Sequence, residues 1–253
     1  MVLIMGFWPL TKQVVRSSDI ILLICDVRMP ELSRNIELEK IATFYGRRII
    51  LIFNKIDIVS QKYLSFVKSK YREAFFVSGT RNIGVNELKK YLLIMTKKMK
   101  LKEPKIGVVG YPNVGKSAII NALAKRARTK VSKHAGTTKG IQWIRVGVLL
   151  IFDSPGVIPF EDDALTLGVF GAKNSENIKN VERVAFEIIK IFINYDKKIF
   201  EDLYNIFVDI DNYWNIFEEI GKKKGFLLSG GRVDERRAAL LIIKDWQSGN
   251  LRL

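Results

Sequence analysis

Apolar residues along this chain fall into two regimes. Up to about residue 160 they form short continuous runs, at Ile20 to Cys25, Arg48 to Phe53, Ala74 to Val77, Lys105 to Val109 and Val146 to Phe152, with a weaker one over Gly140 to Arg145. Runs of this length without alternation predict strands of a parallel sheet buried on both faces. Between them Glu31 to Tyr45, Val85 to Met99 and Lys116 to Lys125 carry apolar residues at helical spacing. Strand and helix alternate, which predicts a doubly wound α/β domain. Beyond Asp163 the runs stop, and amphipathic segments at Asn180 to Ile193, Lys198 to Phe207, Tyr213 to Gly221 and Arg232 to Trp246 predict a small α-helical domain. The expected division is 1–162 and 163–253, and Trp246, Ala239, Leu240 and Ile243 read as core of the second part.

Composition adds compartment and charge. The apolar runs are too short to span a bilayer, no signal peptide is visible, and the single Cys25 ends an apolar run as a buried thiol would. A cytoplasmic protein is expected. The net charge of +16 is uneven: residues 1–162 hold 28 Lys/Arg against 12 Asp/Glu, and residues 163–253 hold 14 of each. Such an excess implies a polyanionic partner, RNA or an acidic membrane surface, although a Lys-rich composition also serves solubility and heat resistance. Lys125, Arg126, Arg128, Lys130, Lys133 and Lys139 form an acid-free segment, and Lys89, Lys90, Lys97, Lys98, Lys100 and Lys102 a second cluster. Both are candidate phosphate tracks.

Several motifs carry chemistry. Gly110-Tyr111-Pro112-Asn113-Val114-Gly115-Lys116-Ser117 fits G-x-x-x-x-G-K-[ST] between a predicted strand and a predicted helix. In that setting backbone N–H groups of Asn113 through Ala118 would cradle phosphates, Lys116 would reach the β- and γ-phosphates, and Ser117 would ligate Mg²⁺. Asn54-Lys55-Ile56-Asp57 follows the strand ending at Phe53. Its Asp57 carboxylate can accept from guanine N1 and N2, a pattern adenine does not offer, while Asn54 steadies the loop. N-K-x-D alone is weak; with a phosphate loop it is specific. Asp153-Ser154-Pro155-Gly156 fits D-x-x-G, with Asp153 toward Mg²⁺ and the Gly156 N–H toward the γ-phosphate. Thr138, in Gly136-Thr137-Thr138, is the expected switch threonine, and Ser78-Gly79-Thr80 sits where a backbone N–H would meet guanine O6. Lys116, Thr138 and Gly156 are thus the candidate catalytic positions.

The base-reading motifs precede the phosphate-reading ones, so the GTP-binding domain must be circularly permuted. With these residues the chain resembles the YlqF/YawG group of circularly permuted GTPases. The likeness extends to Asp26-Val27-Arg28-Met29-Pro30 with Ser33-Arg34-Asn35, similar to that family's D-A-R-x-P…S-R-N segment, and to Gly230-Gly231-Arg232-Val233-Asp234 before an Arg-rich helix. The resemblance implies GTP and GDP as ligands, a role in ribosome assembly, and a C-terminal domain that engages ribosomal RNA. Asn113 resembles the asparagine that holds a K⁺ ion in related GTPases. Two departures stand out. The segment Gly6-Phe7-Trp8-Pro9-Leu10 offers leucine and no histidine where the family has its N-terminal W-F-P-G-H-M, and Gly79 replaces the usual alanine, a change expected to alter little. Val157 follows D-x-x-G and cannot orient water, and His134 reads as a solvent-exposed loop residue. The expected function is a GTP-hydrolysing switch bound to ribosomal RNA or a pre-ribosomal particle, slow without that partner. The alternative is a weakly hydrolysing GTP-binding scaffold for tRNA or an acidic membrane surface.

Overall fold

The computed structural model describes residues 7–125, 133–135, 142–153, 168–171, 180–209, 212 and 214–253, with the backbone alone at 7, 8, 133–135, 142 and 153. The chain divides into two compact units, Met1–Pro159 and Phe160–Leu253. The division at 162/163 expected from sequence falls near this point, among residues outside the described set.

In the first unit β1 (Ile20–Asp26), β2 (Arg48–Asn54), β3 (Phe75–Phe76), β4 (Lys105–Gly110), β5 (Lys133–Ala135), β6 (Gln142–Val146) and β7 (Leu149–Asp153) form one sheet in the order β3-β2-β1-β4-β7-β6-β5. The five strands from β3 to β7 in that order run parallel; β6 and β5 add antiparallel. The helices are α1 (Phe7–Ser17), α2 (Pro30–Ser33), α3 (Ile36–Phe44), α4 (Gln61–Lys70), α5 (Val85–Lys98) and α6 (Lys116–Lys125). Helices α1 and α6 pack on β4, and α3 packs on β2. Strand β1 lies between β2 and β4, and Ile20 through Cys25 are at most 1% exposed. Each such side chain contributes about 1.5–3 kcal/mol by leaving water, which explains why the run lacks alternation. Burial also pushes the Cys25 thiol up to about 12.

Several elements depart from the sequence reading for local reasons. The run Val146 to Phe152 is not one strand. Val146 pairs with Leu149 across a two-residue turn whose Gly147 has φ +65°, so the run is the tip of a β6–β7 hairpin. The segment Glu31 to Tyr45 is two helices, because Arg34 is extended and the Asn35 Oδ1 accepts from Leu38 N at 3.0 Å, starting α3 afresh. Helix α4 escaped notice because only Tyr63, Leu64 and Val67 of its ten residues are buried; Ser60 caps it by accepting from Tyr63 N at 3.1 Å. His134 lies in β5 opposite Trp143, in a strand rather than a loop.

The second unit is helical in its described part: α7 (Val181–Tyr195), α8 (Lys197–Tyr204), α9 (Asn215–Lys224) and α10 (Glu235–Ser248). Helix α10 packs against α7 and α9. Val184, Ile188, Phe192, Phe200, Phe217, Ile242 and Trp246 form its core, each at most 1% exposed. Trp246 meets Phe192 edge-on and donates its indole N–H to Val169 O at 3.1 Å, so it is core as expected, with its polar atom satisfied. Among the described residues no helix is long and apolar enough to cross a membrane.

Candidate functional site

The register of the parallel strands delivers the motifs to one edge. Asp26 pairs with Asn54, Ile24 with Gly110 and Val108 with Asp153, so the carboxyl ends of β1, β2, β4 and β7 lie side by side. In an open α/β sheet, ligands bind outside this edge, where neighbouring connections diverge.

The loop from Gly110 to Gly115 leaves β4 and enters α6. Asn113 is left-handed (φ 59°), a conformation asparagine tolerates, and Gly115 has φ 95°. A Cβ on Gly115 would collide with Asn54 Nδ2, so the position needs glycine on two counts. Val114 is fully buried as the anchor of the loop. Lys116 and Ser117 open α6, where the first turn of backbone N–H groups has no helical acceptor. Lys116 is 7% exposed, with its ammonium donating to Tyr111 O at 2.8 Å and Gly110 O at 3.3 Å.

Asn54, 3% exposed, joins three loops through one carboxamide. Its Nδ2 donates to Val114 O at 2.8 Å, and its Oδ1 accepts from Gly79 N at 3.0 Å. Asp57 follows in a 3-10 turn (Ile56–Ile58), 11% exposed, with Arg81 Nε 3.6 Å from its Oδ2. The Ser78 hydroxyl accepts from Arg81 N at 3.0 Å and lies 3.1 Å from Thr80 Oγ1. Gly79 departs from expectation. A Cβ there would stand 2.8 Å from Ile119 N and 2.9 Å from the Ala118 carbonyl carbon, so the family's usual alanine would press on α6 and the glycine is not an indifferent change.

Below these loops lies a buried ion cluster whose role the motifs did not assign. Asp26, fully buried, holds Lys55 Nζ at 2.8 Å and Arg28 Nη2 at 2.9 Å; Arg28 Nε and backbone N reach its other oxygen at 3.1 and 3.0 Å. Burial alone would raise the Asp26 carboxyl, but the Arg28 and Lys55 cations outweigh it and hold it well below the usual carboxylate range. Arg81 was likewise missed, since a lone arginine in a turn carries no sequence signal. A separate cleft of about 740 Å³, lined among others by Arg34, Arg48, Tyr71, Phe75 and Tyr91, opens at the amino end of β2, away from the motif loops.

The remaining expected site residues are placed only in part. Thr138, Gly156, Arg126, Arg128, Lys130 and Lys139 lie outside the described residues, as does Val157, while Lys133 and Asp153 are described by backbone alone. Lys125 ends α6 and is exposed. On and beyond α5, Lys90, Lys97, Lys98, Lys100 and Lys102 are exposed, whereas Lys89 reaches Leu123 O at 3.5 Å.

Comparison with known proteins agrees with this geometry. The family model of 50S ribosome-binding GTPases matches residues 105–214. Ribosome biogenesis GTPase A of Bacillus licheniformis is 32% identical over 250 residues, 90% of this chain and 86% of that protein. The chain belongs to the YlqF-type circularly permuted GTPases. An uncharacterized GTP-binding protein of Methanocaldococcus jannaschii is 36% identical over 245 residues; the match takes in 96% of this chain and 65% of that relative's length. The solved structure of GNP-bound YlqF from T. maritima shares the fold, with a TM-score of 0.58 over 95% of this chain and 93% of that one at 23% identity. As a YlqF-type chain the protein carries its N-K-x-D loop on β2 and its phosphate loop on β4, the permuted order.

Proposed function

We propose that this chain binds and hydrolyses GTP in a Mg²⁺-dependent reaction and acts in the cytoplasm as a switch on ribosomal RNA or a pre-ribosomal particle. The observation that carries the reading is the Asn54 carboxamide. It fastens the N-K-x-D loop to Val114 of the phosphate loop and to Gly79 of the Ser78-Gly79 loop, so base-reading and phosphate-reading elements form one rigid edge. Asp57 would accept from guanine N1 and N2, Lys55 and the Gly79 backbone would border the base, and the N–H groups from Asn113 to Ala118 would take the phosphates. Lys116 would supply charge to the β- and γ-phosphates, and the Gly156 N–H would sense the γ-phosphate. The donor set fits a hard cation, since Ser117 and Thr138 hydroxyls and the Asp153 carboxylate are oxygen ligands; Asp153 ends β7 in register with Val108 of β4, and Ser117 opens the helix that follows the loop leaving β4. Mg²⁺ held there neutralises phosphate charge. Asn113, left-handed and exposed in the loop, would offer its side chain to a K⁺ ion.

Relatives named ribosome biogenesis GTPase A support the ribosomal partner, as do the net charge of +16 and the run Lys125, Arg126, Arg128, Lys130, Lys133 and Lys139. A second reading, a weakly hydrolysing scaffold for tRNA or an acidic membrane surface, is favoured by the absence of the family's N-terminal histidine and by Val157, which cannot orient water. Turnover measured alone and with purified ribosomal subunits separates the two. A partner-supplied group is worth about 10³–10⁵ in rate in other GTPases, so the switch reading expects a large stimulation that is lost at high salt. Subunits that neither bind in the GTP state nor change the rate would remove the ribosomal assignment.

A further inference from the structure

The geometry points to Asp26, with Arg28 behind it, as a positioning residue for guanine binding that acts through Lys55. The inference rests on the reading of Asn54 to Asp57 as the guanine loop. Lys55 stands between Asn54, which is pinned to the phosphate loop, and Asp57, and its backbone is left-handed at φ 70°. A left-handed lysine is disfavoured by itself, and the pairing of its ammonium with Asp26 is one contact that holds it from outside the loop.

The donors around Asp26 show which group depends on which. Arg28 engages both oxygens of the carboxylate: its backbone N and Nε take Oδ1 and its Nη2 takes Oδ2. Lys55 takes a remaining lone-pair site on Oδ2. Lys55, 27% exposed at its side chain, could place its ammonium in water, yet it crosses from the end of β2 to the end of β1 and pairs at 2.8 Å. Besides helping to hold Asp26 ionised, the ion pair places Lys55, fixing its stem across two strand ends beside the base-reading carboxylate. The rest of the segment supports this anchor. Ser33 Oγ accepts from Asp26 N at 3.0 Å, and Tyr63 donates to Arg28 O at 2.9 Å, so β1's end, α2 and α4 together hold the anchor still. The D-x-R-x-P…S-R-N segment, with no chemistry of its own in the sequence reading, becomes the floor of the guanine loop.

The test uses the whole chain with GDP and ADP as probes, in four variants: Asp26→Asn, Lys55→Met, the double variant, and Asp57→Asn as a control on the loop. Nucleotide affinity is titrated, and urea midpoints of the nucleotide-free proteins report stability separately. Loss of a hydrogen bond to a charged group supports an expected drop of about tenfold or more in GDP affinity for each of the first two single variants. ADP binding should change little, and the double variant should bind no worse than the weaker single. Asp26→Asn that lowers the urea midpoint but leaves the GDP-to-ADP ratio unchanged overturns the inference, as do losses that multiply in the double variant. If Asp26→Asn fails to fold, Lys55→Met decides, because Asp26 there keeps Arg28; an unchanged ratio overturns the proposal. Asp57→Asn with unaltered GDP binding would instead bring down the guanine reading itself.

Discussion

Replacing Asn54 by alanine tests whether one side chain unites the site. The change removes two hydrogen bonds, Asn54 Nδ2 to Val114 O at 2.8 Å and Gly79 N to Asn54 Oδ1 at 3.0 Å. Each is worth about 0.5–1.5 kcal/mol net, and a buried partner left unpaired costs about 1–3 kcal/mol. Val114 is fully buried, but Gly115 beside it is partly accessible, so water can reach part of the gap and the lower half of the sum applies. The expected destabilisation is about 2–4 kcal/mol, read as a shift of the urea midpoint at constant slope. Since the loops are no longer fastened, GDP affinity should fall by more than about tenfold, equivalent to 1.4 kcal/mol. Asn54→Asp separates the two contacts. It can still accept from Gly79 N, yet it turns an oxygen toward Val114 O where a donor stood, so it should impair phosphate binding, and with it ADP binding, as severely as alanine. A destabilisation below about 0.5 kcal/mol, the range of an ordinary surface change, together with unchanged GDP affinity, would refute the argument.

Other expectations follow from the same edge. Gly79→Ala should destabilise the protein by about 1–3 kcal/mol, because the new methyl would stand 2.8 Å from Ile119 N; a urea midpoint equal to the parent's would mean that the loop yields freely. Asp57→Asn should weaken GTP binding and relax selection against xanthine nucleotides, measured by competition. The Asp26 carboxyl titrates below its ordinary range in the folded state, so its contribution to stability is present above the unfolded value of about 3.9 and is lost as pH falls through the folded value. The stability gap between parent and Asp26→Asn should accordingly be constant near neutrality and shrink in acid. Cys25, with its thiol pushed up to about 12, should resist alkylation in native protein at mildly alkaline pH and react at once in denaturant.

What was legible in the sequence was whatever depends on spacing along the chain. The strands β1, β2 and β4 are continuous apolar runs, and the phosphate and guanine loops are contiguous motifs directly after them. What escaped depends on space. Asp26 and Lys55 are far apart in sequence and meet only because β1 and β2 pair in register. The steric demand at Gly79 comes from α6, about which a motif centred on Ser78 is silent. The β6–β7 turn was hidden because Gly147 and Val148 interrupt apolar residues without adding polarity, so hydropathy runs straight through a reversal that φ +65° reveals. Helix α4 failed the opposite way, with too few buried positions in ten residues to show a period.

The position of β4 in the sheet bears on how this chain must fold as it is made. Ile20 of β1 pairs with Ile106 of β4, and the backbone N of Lys105 reaches the Asp19 carboxylate across a separation of 86 residues. β1 and β2 emerge from the ribosome well before that partner, and although they can pair with each other, the other edge of β1 stays open until β4 arrives. That edge belongs to Ile-Ile-Leu-Leu-Ile-Cys-Asp, a strand whose seven residues are all buried in the folded sheet. An exposed apolar edge is a template for pairing with other chains, and long-range parallel pairing is intrinsically slow. Cutting the nucleotide fold at this point thus transfers β4, the strand that closes the second edge of β1, from early to late synthesis, and leaves that apolar edge open until residues from 105 onward have been made.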